Sequence, residues 1–204
     1  MKISKGVKII TISGLDGSGK STQIELLKTY LEQQGRKVFY FHAVHFSIAN
    51  QSKKQSTSVG KSVTKANWLQ IQLRKLALFI DFWRFKKLFK KLKEGGFDFI
   101  LSDRFFYDSI INIHYLENKT IEKLKKCKLI ENWKLKIENY SFYLQSDPEI
   151  IMQRDRKPDQ GLEYLQKKKE LYDTAASVWN LKIIDGNRNK EEIFEEIKKA
   201  LPVL

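Results

Sequence analysis

Residues Gly14-Leu15-Asp16-Gly17-Ser18-Gly19-Lys20-Ser21-Thr22 contain the pattern G-x-x-x-x-G-K-[ST] with every fixed position matched. Residues 7–13 precede it as an apolar run typical of a buried strand. Residues 22–34 follow it with apolar side chains at helical spacing. This context matters because the loop binds phosphate only between a strand and a helix. The sequence therefore predicts a loop that binds a nucleoside triphosphate.

The residue types within the loop indicate how the phosphates are held. Glycines allow backbone N–H groups to turn toward an anion, and the N-terminus of the next helix adds the positive end of its dipole. Lys20 is predicted to reach the β- and γ-phosphates. The hydroxyl of Ser21 is predicted to ligate Mg²⁺. We expect ATP with magnesium at this loop.

Composition limits the alternatives. The 204 residues suffice for one α/β domain, and we expect residues 1–204 to form a single domain. The single cysteine, Cys127, excludes an internal disulfide and indicates a reducing cytoplasm. No apolar run approaches the roughly 20 residues of a membrane span, so no membrane partner is expected. The net charge of +14 favours phosphate-bearing partners without deciding between nucleotides and nucleic acid.

Five short apolar segments alternate with helical patterns along the chain, which predicts a parallel sheet with helices on both faces, the three-layer α/β architecture. The segments are residues 7–13, 38–41, 97–102, 141–144 and 181–184. Between the second and third segments, residues 44–66 lose all periodicity. We expect a long mobile loop near the site there.

Residues 67–94 form the longest helical pattern in the chain. Its apolar residues recur at spacings of three and four, which predicts one face packed on the core. The residues expected on that face are Leu69, Leu73, Leu76, Phe79, Ile80, Trp83, Leu88 and Leu92.

Asp103 and Arg104 follow the third predicted strand directly. Ligands of open α/β sheets gather at the carboxyl ends of the strands, so both side chains should face the crevice that holds the phosphate loop. A carboxylate there suits magnesium or a magnesium-bound water, and a guanidinium suits a phosphoryl group.

Two other classes of nucleotide-binding protein lack support. GTP-binding switches carry N-K-x-D, but residues 118–121 read Asn-Lys-Thr-Ile. ATPases coupled to motion usually end this strand in Asp-Glu, whereas Arg104 follows Asp103 here. An arginine at that position favours transfer of a phosphoryl group to an acceptor that is itself phosphorylated.

The order of these motifs resembles thymidylate kinase over nearly the whole chain. The resemblance is carried by the phosphate loop through Gln23, by Asp103-Arg104-Phe105, by Asp147-Pro148-Glu149 with Arg154 and Arg156, and by a helix ending near Tyr172. It implies the P-loop NTPase fold, ATP as phosphoryl donor and Mg²⁺ as cofactor. It also implies a nucleoside monophosphate acceptor, most simply dTMP, and a possible homodimer. Nucleic acid is not expected as a partner.

The resemblance also implies roles for residues on the acceptor side. Asp16 would contact the 3′-hydroxyl of the acceptor sugar, and Phe79 would stack on the base. Arg84 and Arg104 would hold the acceptor phosphate. Asp103 would organise magnesium through water.

On the donor side, the resemblance implies a short lid over residues 154–161. Family members without an arginine in the phosphate loop supply one from the lid. This chain has Ser18 in the loop and Arg154 and Arg156 in the lid, so these arginines would serve catalysis. Asn187, after the last strand, would approach adenine.

The sequence departs from the family at two places that face the acceptor. His42-Ala43-Val44-His45 replaces an arginine-containing segment after the second strand, and Asn112-Ile113 replaces a Tyr-Gln pair near the base. Three functions therefore stay open. They are a dTMP kinase, a related kinase for another nucleotide, nucleoside or small-molecule acceptor, and a nucleic-acid-dependent ATPase.

Overall fold

A computed structural model describes residues 6–48, 66–118, 139–155 and 157–201. These residues contain one parallel sheet of five strands in the order β2-β3-β1-β4-β5. The strands are β1 (Lys8–Gly14), β2 (Val38–Phe41), β3 (Phe99–Asp103), β4 (Asn139–Gln145) and β5 (Lys182–Asp185). The predicted sheet of a P-loop NTPase fold is confirmed.

Helices cover both faces of the sheet. In the described ranges they are α1 (Lys20–Gln33), α2 (Ala43–Phe46), α3 (Trp68–Glu94), α4 (Phe106–Leu116), α5 (Pro148–Met152), α6 (Leu162–Val178) and α7 (Lys190–Lys199). One apolar cluster joins α3, α4 and α6 to one face, and a second joins α1 and α7 to the other. Within the described residues, no helix is long and apolar enough to cross a membrane.

Strand β1 lies at the centre and is buried on both faces. Ile9 points into the cluster with α3, α4 and α6, whereas Ile10 and Ile12 point into the cluster with α1 and α7. Such two-sided burial explains the nearly continuous apolar run of β1. Because β3 and β4 pair with β1 in parallel, the carboxyl ends of all three strands meet at one edge of the sheet.

The predicted core face of the longest helix, α3, is wrong for most of its residues. Six of the eight predicted side chains are exposed by 37 to 58%, namely Leu69, Leu73, Leu76, Phe79, Ile80 and Trp83. Leu92 is buried as predicted, and Leu88 is partly buried against the same cluster. The other residues of the buried face were not predicted, and they are Ile71, Leu78, Phe82 and Phe85. The helix has apolar residues around much of its circumference, so helical spacing alone could not choose the buried face.

A buried carboxylate shares the true core face of α3. Asp81 is nearly inaccessible, and its Oδ1 accepts hydrogen bonds from Arg84 Nη1 at 2.7 Å and from the backbone N–H of Ile48 at 3.1 Å. These partners offset the cost of burying the charge. A charged residue on the buried side is a further reason why periodicity misplaced the core face.

Two adjacent isoleucines of β5 test how the sheet is buried. Ile184 is 1% exposed within the cluster with α1 and α7, whereas Ile183 is 49% exposed. We expect Ile184→Ala to lower the free energy of unfolding by about 2–5 kcal/mol, because it leaves a cavity. Ile183→Ala should cost about 1 kcal/mol or less. Urea unfolding measures both, and equal losses would contradict the assigned strand register.

Candidate active site

The phosphate loop lies between β1 and α1, and its shape requires glycine. Gly14 has a φ of 151°, and a Cβ on it would lie 2.7 Å from the carbonyl oxygen of Leu144 on the neighbouring strand β4. Gly19, with a φ of 99°, precedes the first turn of α1 in the left-handed region. Side chains are disfavoured in such conformations. The backbone can therefore make this tight turn only with the glycines that the motif supplies.

Lys20 is buried at the start of α1. Its ammonium donates a hydrogen bond to the carbonyl oxygen of Leu15, within the loop. Burial lowers the pKa of Lys20 to about 8, and the positive charge of Arg104 acts in the same direction. A cation held in a dry site interacts strongly with any phosphate that enters it.

Asp103 ends β3 beside the first turn of α1. Its Oδ2 accepts a hydrogen bond from Ser21 Oγ at 2.6 Å, and its Oδ1 accepts one from the hydroxyl of Tyr40. The Nε2 of His42 lies 3.7 Å from the same Oδ1. Burial, followed by the hydrogen bond to Asp103, raises the pKa of Tyr40. Hydrogen bonds from one residue of β2 and one residue of α1 therefore fix the carboxylate of Asp103 in place.

The carboxylate and hydroxyl oxygens of Asp103 and Ser21 are the ligands that Mg²⁺ prefers. The described part of the chain contains no group of three or more His, Cys, Asp or Glu side chains that could hold a metal ion. Mg²⁺ at nucleotide sites takes one or two protein ligands and completes its shell with phosphate oxygens and water. The pair therefore fits magnesium bound together with a nucleotide.

Arg104 and Asp16 form an ion pair, with Arg104 Nη2 2.5 Å from Asp16 Oδ1. Arg104 has a φ of 95°, a strained conformation for a residue with a side chain, and strain of this kind clusters at functional sites. Burial would raise the pKa of Asp16, but Lys20, Arg104 and Lys168 together hold it below its ordinary value. Asp16 is therefore ionised at neutral pH.

Arg154 joins the phosphate loop to the turn after β5. Its Nη1 donates to the carbonyl oxygen of Gly17 at 2.6 Å, and its Nη2 donates to that of Gly186 at 3.0 Å. In the same turn, the side chain of Asn187 exchanges hydrogen bonds with Asp147. The second predicted lid arginine, Arg156, lies outside the described residues.

Comparison with known proteins agrees with this geometry. The sequence model of the family described as thymidylate kinase matches residues 12–197. The chain belongs to the thymidylate kinase family. It is 27% identical to the thymidylate kinase of Thermosipho africanus, over 94% of this chain and 96% of that one. It is 30% identical to the probable thymidylate kinase of Methanobrevibacter smithii, over 94% and 93%.

Solved structures of thymidylate kinases share the fold. The Ehrlichia chaffeensis enzyme superimposes with a TM-score of 0.64 at 18% identity, covering 97% of this chain and all of that one. The Candida albicans enzyme gives 0.62 at 21% identity, covering 95% and 90%. As a member of this family the chain is an ATP-dependent nucleotide kinase.

Two acceptor residues implied by the thymidylate kinase resemblance lie apart on α3. The ring of Phe79 is half exposed and contacts Trp83 on the outward side of the helix. Arg84 is five residues further, about 140° around the helix axis. Its Nη1 donates to the carbonyl oxygen of Phe46 at 2.8 Å and to Asp81. Stacking of Phe79 on a base stays a prediction, and its outward position does not favour that role.

A buried carboxylate that no sequence motif marked, Asp108, lies beside the phosphate loop. Asp108 accepts hydrogen bonds from Ser13 Oγ at 2.8 Å and from the hydroxyl of Tyr172 at 2.6 Å. The negative charge of Asp108 acts to raise the pKa of both Lys20 and Arg104. Asp108 therefore offsets part of their positive charge from α4. The available signal was the position of Asp108 four residues after Arg104, in the first turn of a helix.

The low pKa of Lys20 predicts how stability depends on pH. Its pKa is about 8 in the folded chain against 10.5 for an exposed lysine, so between these values the unfolded chain binds more protons. Lys20 therefore lowers stability most below pH 8, and this cost fades as the pH rises toward 10.5. Lys20→Met should remove the cost. We expect its gain in unfolding free energy without nucleotide to be larger at pH 7 than at pH 9.5.

Urea unfolding of the wild-type chain and Lys20→Met at both pH values gives this difference. The same variant should lose about 10²-fold or more in turnover, as expected when one preorganised stabilising charge is removed. If Lys20→Met gains the same unfolding free energy at both pH values, the lowered pKa assigned to Lys20 is wrong. If its turnover stays within about threefold of wild type, the catalytic role assigned to Lys20 is wrong.

Proposed function

We propose that this chain transfers the γ-phosphoryl group of ATP to dTMP, giving ADP and dTDP. The observation that carries the proposal is the Arg104–Asp16 ion pair beside the phosphate loop. Arginine offers a planar fork of donors that matches phosphate oxygens, and a carboxylate accepts hydrogen bonds from sugar hydroxyls. A nucleoside monophosphate presents both groups. Membership of the thymidylate kinase family supports dTMP as the acceptor.

On the donor side, the loop backbone and Lys20 would hold the β- and γ-phosphates of ATP. Ser21 and Asp103 would hold Mg²⁺, which would supply positive charge to neutralise the phosphates of ATP. Asn187 would lie near adenine, since its turn is joined to the phosphate loop through Arg154. These are roles that we propose for the chain.

On the acceptor side, Arg104 would bind the acceptor phosphate with the donors that Asp16 leaves free, and Arg84 would approach it from α3. Asp16 would accept a hydrogen bond from the 3′-hydroxyl. An acceptor phosphate oxygen then attacks the γ-phosphorus, and the bond from that phosphorus to the β–γ bridging oxygen breaks. The bonding electrons leave with ADP, so positioned cations are the main requirement of the step.

We propose that the lid arginines, Arg154 and Arg156, supply the positive charge that stabilises the leaving phosphate group of ADP. Arg154 donates a hydrogen bond to the carbonyl oxygen of Gly17, so its guanidinium lies beside the loop that would hold the nucleotide phosphates. Closure of residues 154–161 would also exclude water, which prevents hydrolysis of ATP.

Recognition of the base is the part that departs from the family. Asn112 lies one turn along α4 from Asp108, and its Oδ1 is buried with no hydrogen-bond partner in the described residues. An amide oxygen so placed can accept from the N3–H of thymine or uracil. A single contact discriminates less than a pair does. We therefore expect dUMP to compete with dTMP more closely than in a strict thymidylate kinase.

An acceptor panel tests the function. ATP consumption is measured with Mg²⁺ and equal concentrations of dTMP, dUMP, dCMP, dAMP, dGMP and thymidine. We expect turnover with dTMP, lower turnover with dUMP, and little with thymidine, which lacks the phosphate that Arg104 binds. A preference for thymidine contradicts the role of Arg104. If none of the six compounds causes ATP consumption, the acceptor is another small molecule. If only added polynucleotide stimulates ATP consumption, the chain is a nucleic-acid-dependent ATPase.

We also propose that the chain forms a homodimer in the cytoplasm. The outward stripe of α3, defined as Trp68, Leu69, Leu73, Leu76, Phe79, Ile80 and Trp83, exposes seven large apolar side chains by 37 to 74%. A monomer rarely leaves so large an apolar patch in water. A two-fold interface would cover the stripe with its own copy. The single cysteine, with no disulfide to form within the chain, supports the cytoplasmic location.

A charge placed in the outward stripe of α3 tests the dimer. Leu76→Lys should give a monomer, because an ammonium cannot be buried unpaired between two copies. Thr29→Lys, at an exposed position of α1 on the opposite face of the sheet, is the matched control, and it should stay dimeric. Sedimentation velocity gives the mass and thermal unfolding shows that each variant is folded. A monomeric wild-type chain would exclude the dimer.

A further inference from the structure

The two carboxylate oxygens of Asp103 have partners from different elements of the fold. The side chain is only 4% exposed, so burial of both oxygens requires hydrogen-bond donors within the protein. Oδ2 accepts a hydrogen bond from Ser21 Oγ at 2.6 Å, in the first turn of α1. Oδ1 accepts a hydrogen bond from the hydroxyl of Tyr40, on β2. The two oxygens are therefore not equivalent, because one is turned toward α1 and the other toward β2.

The register of the sheet brings Tyr40 to this carboxylate. β2 is the outermost strand of the described sheet, and Tyr40 pairs there with Leu101, two residues before Asp103 on β3. Paired residues, and residues two apart on one strand, point to the same face of a sheet. Tyr40 and Asp103 therefore share the face on which Leu101 packs with α1 and α7. From this position at the edge of the sheet, the hydroxyl of Tyr40 reaches inward to Oδ1.

His42, directly after β2, presents a second donor to the same oxygen. Its Nδ1 accepts a hydrogen bond from the backbone N–H of His45 at 3.4 Å, so the neutral imidazole carries its proton on Nε2. Nε2 lies 3.7 Å from Asp103 Oδ1, which is too long for a hydrogen bond but leaves the N–H dipole facing a negative oxygen. The imidazole also stacks on the ring of His45, with ring centres 4.1 Å apart. Both groups that this part of the chain brings to Oδ1 are therefore donors.

Mg²⁺ and Ca²⁺ differ in what they require of a carboxylate. Mg²⁺ demands near-ideal octahedral geometry and keeps several of its waters, so one oxygen of a carboxylate is sufficient. Ca²⁺ is larger, accepts more ligands in a flexible geometry and often binds both oxygens of one carboxylate. A carboxylate that already has a hydrogen bond on its second oxygen is therefore better suited to Mg²⁺ than to Ca²⁺.

We propose that Tyr40 is a positioning residue that keeps Oδ1 of Asp103 occupied, so that Oδ2 alone is offered to the metal and the site selects Mg²⁺ over Ca²⁺. Oδ2 is the oxygen next to Ser21, the other residue that would hold the metal. His42 supports Tyr40 from the same side. This inference rests on the magnesium site of the proposed function, and it assigns the choice of cation at that site to the outermost strand of the described sheet.

The experiment measures the Kd of ATP for the full chain by isothermal titration calorimetry. The titration is run with saturating Mg²⁺, with saturating Ca²⁺ and with EDTA. No acceptor is present, so the result does not depend on which monophosphate the chain phosphorylates. For the wild-type chain we expect a lower Kd with Mg²⁺ than with Ca²⁺, and the ratio of the Ca²⁺ value to the Mg²⁺ value measures the selectivity.

Tyr40→Phe keeps the aromatic ring and removes the hydroxyl that occupies Oδ1. We expect the ratio of the two Kd values to fall about tenfold, the effect of losing one hydrogen bond to a charged group. The Kd in EDTA should stay within about twofold of wild type, because Tyr40 acts on the metal ligand and not on ATP. Equal weakening with both cations would show that the hydroxyl only stabilises the fold, and it would overturn the inference.

Two further variants complete the design. Tyr30→Phe is the matched control, because it removes the same hydroxyl from α1, where the ring of Tyr30 packs edge-to-face on Phe194 with ring centres 5.9 Å apart. Its ratio should match that of the wild-type chain. Asp103→Asn tests the metal site itself. It should remove most of the gain in ATP affinity that Mg²⁺ gives over EDTA.

The outcomes separate this inference from the proposed function. If Asp103→Asn keeps the full gain from Mg²⁺, the proposed metal site is wrong and the inference falls with it. If Asp103→Asn loses the gain while Tyr40→Phe keeps the wild-type ratio, the metal site stands and the inference is overturned. Thermal melting shows whether Tyr40→Phe is folded. The wild-type chain also tests the inference without any variant, since tighter ATP binding with Ca²⁺ than with Mg²⁺ would overturn it.

Discussion

The ion pair between Arg104 and Asp16 is the interaction on which the geometry of the site depends, because it joins the loops that follow two adjacent strands. Asp16 lies in the phosphate loop after β1, and Arg104 follows β3. Parallel pairing of β1 with β3 brings these loops to the same edge of the sheet. The left-handed backbone of Arg104 is strained, and the ion pair is one of the contacts that hold it. In the proposed reaction this pair forms the acceptor side of the site.

Charged side chains of both signs surround that pair. Asp16 and Arg104 are partly exposed, whereas Lys20, Asp103 and Asp108 are buried. Asp103 and Asp108 each also accept hydrogen bonds from hydroxyl groups. Unpaired, any of these charges would cost several kcal/mol to bury. Arranged together, they place charges of both signs at the site before substrate arrives. Such preorganised charge is what phosphoryl transfer requires, since little else in the reaction needs protein groups.

The parts of the site that could be predicted are those fixed by local chain geometry. The phosphate loop is contiguous in sequence, and Asp103-Arg104 follows a strand directly, so motif and strand position sufficed for both. Tyr40 and Asp108 were missed because they reach the site from β2 and α4 and stand in no motif. Nothing local marks a residue whose partner lies 63 positions away in the sequence, as Asp103 does for Tyr40.

By itself, the sequence determined the parallel α/β architecture, the nucleotide site and the family, because strand–loop–helix order and glycine positions are local properties of the chain. Only the tertiary structure decided which side of α3 packs on the sheet. Apolar residues surround that helix, and the buried side is the one on which Phe82 and Phe85 pack into the core. Asp81 lies on the same side because Arg84 and the N–H of Ile48 offset the cost of burying its charge. Tertiary structure likewise decided that Lys168 is buried and donates to the Tyr164 hydroxyl, since burial of a charge depends on contacts between segments distant in sequence.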